Sequence, residues 1–255
     1  MKEAWFAGVD GCPAGWVAVF IQAGRDGARV RVVPRFADIF AAPEAPTIIA
    51  VDMPIGLPER AGPGGRAAEN AVRPLLGARQ SSVFSIPSRE AVYSELGPLV
   101  GLAEIIAAHQ RACVIARRTS DPPRGVAMQS FMIFPKIREL DENLRNDPAL
   151  KARVYETHPE VAFWQLNGQQ ALSEPKKKRS RPYEPGLVQR RQLLIAAGLP
   201  EEAVNATPPK GAHADDLIDA FACAEIARRI HLGQAKPFPD PPERDEFGLP
   251  MAIWA

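Results

Sequence analysis

The sequence predicts an α/β protein on a mixed central sheet, three antiparallel strands continued by parallel ones, with helices on its faces and a helical insertion. Three observations carry this. Short apolar runs alternate with Gly- and Pro-bearing turns over the first third of the chain. A nearly continuous apolar run, Thr47-Ile48-Ile49-Ala50-Val51, then ends on Asp52, as a strand buried on both faces does. From about residue 62 onward, apolar residues recur mainly at helical spacing.

In chain order, Ala4 to Asp10, Gly15 to Gln22 and Ala28 to Val33 read as a three-stranded meander. Gly11-Cys12-Pro13-Ala14 and Gly24 to Gly27 are its turns. Pro54, Gly56 and Pro58 force a loop after the fourth strand. The insertion, about 62–146, holds a helix over Gly101 to Arg118 and another over Gln129 to Leu144, which Pro135 kinks or splits. A strand at Ala152 to Glu156 and a short helix from Pro159 to Leu166 follow, then helices over Gly186 to Ala197 and Ala212 to Leu232, each closed by a glycine. The tail from Pro237 alternates as a final extended segment. No linker divides the chain, so one domain over 1–255 is expected.

Composition narrows the classes. A formal net charge of +1 gives no bulk signature of a nucleic-acid binder. The 26 prolines, about twice the usual share, fall between apolar segments and so read as stiff loops. Three widely spaced cysteines offer neither a disulfide framework nor a metal-ligand spacing. Asp10 interrupts the first apolar run before a signal-peptide core forms, and no stretch approaches the roughly 18 apolar residues of a membrane span. A cytoplasmic location is the expectation.

The candidate chemistry lies in acids. Asp10 and Asp52 each end a strand, and each alone reads as a turn carboxylate. If their strands are neighbours, both carboxylates emerge at one sheet edge, where ligand crevices of α/β sheets form. On a helical wheel the last helix puts Asp216 on the stripe of Ala220, Cys223 and Ala227, with Asp219 about 60° away and Glu225 and Arg229 opposite. First-turn acids favour the helix dipole, which accounts for Asp215 but less well for Asp219, a turn further in. Carboxylates on a packed face destabilise unless paired or bound to a cation. That stripe carries no lysine or arginine beside them, which leaves a metal as the simplest partner. Hard oxygen ligands select Mg2+ or Mn2+, and four convergent carboxylates suit a two-ion arrangement. Glu156, ending its strand, joins or flanks the site. His158 and His213 read as structural histidines more readily than as ligands.

The motifs Gly8-Val9-Asp10-Gly11-Cys12-Pro13-Ala14-Gly15-Trp16-Val17 and Ala50-Val51-Asp52-Met53-Pro54-Ile55-Gly56-Leu57-Pro58 resemble the DUF429 family of predicted nucleases. So do Leu76-Gly77-Ala78-Arg79-Gln80-Ser81-Ser82-Val83-Phe84, Glu156-Thr157-His158-Pro159-Glu160 and Asp215-Asp216-Leu217-Ile218-Asp219-Ala220. The resemblance runs from Gly8 to the closing Trp254 and implies a ribonuclease H-like fold. Asp10 then resembles that superfamily's first-strand acid and Asp52 its fourth-strand acid. Asp216 with Asp219 resembles the paired acids on the last helix of bacterial Holliday-junction resolvases. Where the family tends to carry Cys-Asp, this chain has Ala68-Glu69.

The one dense positive run, Lys176-Lys177-Lys178-Arg179-Ser180-Arg181, reads as a solvated loop or as an arm that binds phosphates without reading sequence, with Arg66, Arg73, Arg79 and Arg89 as possible additions. The leading expectation is a metal-dependent nuclease or phosphodiesterase acting on nucleic acid, with Asp10, Asp52, Asp216, Asp219 and Glu156 as its acids. The rivals are an actin-like ATP-binding protein, in which Gly11 and Gly15 cradle phosphate, and a non-catalytic scaffold. Against the first stands the lack of a second Asp-x-Gly-x-Gly loop, and against the second the intact acidic set.

Overall fold

In the computed structural model, which describes every residue except 1–3, 23, 25–26 and 180, a five-stranded sheet runs in the order β3-β2-β1-β4-β5. Its strands are β1 (Trp5–Cys12), β2 (Gly15–Gln22), β3 (Ala28–Val33), β4 (Ile48–Val51) and β5 (Val154–Glu156). The β1-β2-β3 meander is antiparallel, and β4 and β5 join it in parallel. This mixed sheet with flanking helices matches the fold class expected from the sequence and is consistent with a ribonuclease H-like fold. Residues 25 and 26 of the expected Gly24–Gly27 turn, and Ser180 of the basic run, lie outside the described residues.

Period-two alternation explains why the central strands are buried on both faces. Phe6 of β1 and Val17, Val19 and Ile21 of β2 enter one apolar cluster, while Ala7, Val9, Trp16, Ala18 and Phe20 enter the other. The first face is covered by the closing helix (Ala214–His231), together with helices Pro159–Leu166 and Glu184–Ala196. The second is covered by helices Leu102–Arg118 and Phe134–Asn146. The insertion therefore straddles the sheet, since its first part, with Ala68, Val72, Leu76 and Val83, packs with the closing helix instead.

Two expectations are corrected and one is borne out. The β1–β2 ladder does not stop at Asp10 but runs on to the Cys12–Gly15 pair, leaving a two-residue Pro13-Ala14 turn. Of the kink or split expected at Pro135, the chain takes the split: it forms Met128–Met132 and then Phe134–Asn146, with the proline in the first turn of the second, where its missing N–H costs nothing. The tail is not one extended segment but a hairpin of its own, β8 (Pro237–Arg244) against β9 (Pro250–Trp254). The basic run forms a smaller hairpin, β6 (Lys177–Lys178) with β7 (Arg181–Pro182). No described helix is long and apolar enough to cross a membrane.

What sets the height of the closing helix is Gly8. A Cβ there would collide with the backbone N of Ala224 and the carbonyl O of Ala220, so strand and helix backbones touch directly. Gly8→Ala is therefore expected to cost about 3 kcal/mol, the upper end of ordinary overpacking, because backbone cannot yield as a side chain does. Denaturant unfolding of the variant checks this, and a loss under about 1 kcal/mol would show the contact to be slack.

Candidate metal centre

The parallel ladder between β1 and β4 ends at the pair Val9–Val51. The next residues, Asp10 and Asp52, therefore stand side by side at the sheet's carboxyl edge, and the Asp52 N–H still donates to Val9 O at 2.9 Å. Asp219 reaches the same place from the closing helix. One carboxylate oxygen from each of Asp10, Asp52 and Asp219 lies within 4.8 Å of the others. Asp10 and Asp219 are buried and Asp52 is half-buried.

Asp216 is not part of this group. Its carboxylate turns back to accept the His213 backbone N–H at 2.8 Å, capping the helix in a His-x-x-Asp box. Its neighbour Asp215 is held by Lys177 at 2.6 Å. Glu156 also stands apart. It accepts the Ile55 N–H at 2.7 Å and is gripped by Arg66 at 2.6 and 3.0 Å. Arg66 is 3% exposed; it also pairs with Glu69 at 2.6 Å and donates to the carbonyls of Ile55 and Gly56. The pair pins the loop after β4, and Glu156 flanks the cluster from across the cavity wall. His158 is satisfied as a structural residue, with Nδ1 accepting the Glu160 N–H at 3.2 Å and Nε2 lying 3.3 Å from Ser82 O.

Two lysines enter the site. Lys176 makes an ion pair with Asp219 Oδ2: the helix stripe carries no lysine or arginine of its own, as read from the sequence, but a cation reaches it from outside the helix. Lys136, from the insertion, donates to Gly15 O, lies over the Trp16 ring at 4.6 Å, and has its aliphatic stem where a Cβ on Gly11 would be. Both line a cavity of about 300 Å³, along with Asp10, Asp52, Phe84 and Ile133. The remaining basic residues are mostly engaged. Lys178 lies 3.8 Å from Glu174 and 3.5 Å from the Tyr183 ring, while Arg179 makes no ion pair among the described residues. Arg79 is half-buried outside the cavity.

The electrostatics follow from this crowding. Burial, then repulsion from Asp52 and Asp219, holds the Asp10 carboxyl well above the usual range. Burial pushes Asp219 up to about 7, with Lys176 drawing it down and Asp52 pushing it up. Asp52 is raised chiefly by burial, against the pull of His158 and Lys176. For Lys176 burial opposes the charge, yet Asp219 and Asp10 prevail and its pKa rises. Lys136 is lowered by burial. Burial also raises Glu156 to about 7 against the attraction of Arg66, while Arg66, between two carboxylates, keeps its proton.

The donor set and one further feature fit a divalent cation. Asp219 is 1% exposed, and its Oδ1 has no hydrogen-bond partner. A buried, unpaired carboxylate oxygen on a member of a carboxylate cluster is costly unless a cation meets it. Three oxygen ligands of this type suit Mg2+ or Mn2+.

Fold and site together define an α/β protein with a mixed sheet and a carboxylate cluster at the sheet's carboxyl edge. The model of a family described as a protein of unknown function, DUF429, matches residues 8–244, and the chain belongs to that family. Comparison with curated proteins and with solved structures found no match.

Two outcomes test this electrostatic picture. Raised carboxyl pKa values mean that the folded chain favours the protonated acids. Their contribution to stability is complete below the ordinary carboxylate range, near pH 4, and is lost as pH rises through the raised values, about 7 for Asp219. Without metal, Asp52→Asn should therefore gain on the parent between about pH 5 and pH 8 in thermal melts, and a constant difference would count against the repulsion. Arg66→Met leaves Glu69 and Glu156 buried without their cation and should cost about 3–5 kcal/mol in denaturant unfolding, whereas a solvated pair would cost under about 1.

Proposed function

We propose that the chain is a divalent-metal-dependent phosphodiesterase acting on nucleic acid, with Asp10, Asp52 and Asp219 as the residues that hold the ion. The observation that carries this reading is the unpaired, buried Asp219 Oδ1 within a group of three carboxylates, of which Asp10 and Asp52 line a cavity. When bound, the cation supplies Lewis-acid activation of water and neutralises charge on the phosphoryl oxygens. The three acids fix its place from two adjacent strands and a helix whose height is set by backbone contact. Lys136, facing the same cavity, draws the phosphodiester toward the acids. Glu156 and Arg66 keep the loop after β4 in position and do not touch the reacting atoms. Asp216 caps the helix that delivers Asp219.

Nucleic acid as the substrate rests on the resemblance to predicted nucleases and on the basic hairpin. Within the proposed interface Arg179 has its charge free for a phosphate, with Arg79 as a further contact, while Lys177 and Lys178 are engaged by Asp215 and Glu174. An actin-like ATP site is disfavoured by Gly11, whose open side is filled by the stem of Lys136 instead of facing an empty phosphate loop.

A screen of single-stranded, duplex, hybrid and branched substrates with Mg2+ or Mn2+ tests the proposal. Cleavage should require the metal and fall on the order of 100-fold or more in Asp10→Asn and Asp52→Asn, since removing a ligand costs more than the 10–100-fold typical of its supporting partners. Micromolar ATP binding in calorimetry, with no cleavage of any polymer, would favour the nucleotide-binding reading instead.

A further inference from the structure

We propose that Lys176 is the resident second cation of the carboxylate cluster, so that Asp10, Asp52 and Asp219 take up a single divalent ion and not two. The inference rests on the metal reading above and deepens it. Asp219 divides its two oxygens between two roles: Oδ2 meets the Lys176 ammonium, and Oδ1 is left without a partner. Three carboxylates against one ammonium leave two negative charges, which one divalent ion balances. A second ion would leave the group overcharged or drive the lysine out.

Lys176 is not a loose side chain that happens to reach an acid. Its own carbonyl accepts the Tyr183 N–H at 2.9 Å. On its N-terminal side, the Glu174 carbonyl accepts from Arg190, a fully buried residue, at 3.0 Å, and the Glu174 N–H donates to Gln189 at 3.2 Å. The Pro175 carbonyl presses on Gly186 so closely that a Cβ there would collide with it. On the other side Lys177 holds Asp215 of the closing helix at 2.6 Å. The segment is thus fastened to the helix that carries Asp219 and to its neighbour, and the ammonium is delivered by built structure. In two-ion sites the cations sit about 3.5–4 Å apart and share a carboxylate. An ammonium in contact with Asp219 fills that second place as a compact point charge that cannot itself bind water as a ligand.

Equilibrium dialysis of the full chain against Mn2+, with metal analysis of the folded protein, tests this. The parent should retain one equivalent and Lys176→Gln two. Lys177→Gln removes the same charge from the same hairpin but from a different acid, and should retain one. If Lys176→Gln folds only with metal present, it is assembled in Mn2+ before dialysis. If it does not fold at all, electron paramagnetic resonance of the parent decides, a mononuclear Mn2+ signal supporting the inference and a spin-coupled pair overturning it. Two equivalents in the parent, or one in Lys176→Gln, would overturn the role of Lys176 while leaving the metal site intact. Binding by Lys176→Gln but not by the parent would make the lysine the cluster's only native cation and overturn the inference. No binding by either would remove the metal reading and this inference with it.

Discussion

The contact between β1 and the closing helix at Gly8 governs the molecule. Because no side chain separates the two backbones there, the helix lies as low on the sheet as a helix can, with Ala220 and Ala224 at the point of contact. Everything delivered by its first turns is then committed to the sheet's carboxyl edge. Asp219 cannot swing out to solvent, since helices Pro159–Leu166 and Glu184–Ala196 close over the other side. A higher helix, held off by a valine or leucine stripe, would bury more apolar surface at this point and would leave the strand-ending acids without their third member. The fold exchanges apolar packing for a charged group in a fixed place, an arrangement expected of a site and not of a core.

How the chain treats its other buried acids sharpens the contrast. Glu44 is met by Arg29 and Arg31, Glu69 and Glu156 by Arg66, Asp141 by Arg89, Glu160 by Arg190, and Glu225 by Arg228 and Arg229. Each of these carboxylates is neutralised by at least one guanidinium, although Asp141 Oδ1 and Glu160 Oε2 keep no hydrogen-bond partner. Asp10, Asp52 and Asp219 receive no guanidinium among the described residues. The chain therefore has the means to neutralise buried carboxylates with arginine and uses it repeatedly, yet leaves three carboxylates without one beside a cavity that Asp10 and Asp52 line.

Much of this was legible in the sequence. The meander and the parallel strand could be read because two-residue periodicity and a continuous apolar run are local signals. Asp10 and Asp52 could be paired in advance because parallel neighbours end together. Asp219 followed from its place on the wheel, a turn too far in to serve as a cap. Asp216 was misplaced because the wheel gives direction and not hydrogen bonding: the spacing His213-x-x-Asp216 was the missed signal, a local box that turns the carboxylate back to the chain. Glu156 was drawn toward the acids because its strand ends beside β4. Its true partner, Arg66, is 90 residues away in sequence and could be found only through the fold. Lys136 and Lys176 were hidden for the same reason, being long side chains that reach the site from the insertion and from a hairpin. Lys176 was visible only as part of a charge run, which by itself suggests a solvated face.

The choice of lysine at Asp219, against arginine at so many other buried acids, has a physical consequence. A guanidinium on Asp219 would take both carboxylate oxygens in a bidentate pair and close the group, as Arg66 does for Glu156. An ammonium approaches as a point charge and needs only one oxygen. It lowers the repulsion among three carboxylates enough for them to stay together in the folded chain, while the second oxygen remains available for a stronger cation. The same lysine thus accounts for how three buried carboxylates stay together and for the oxygen that is left without a partner.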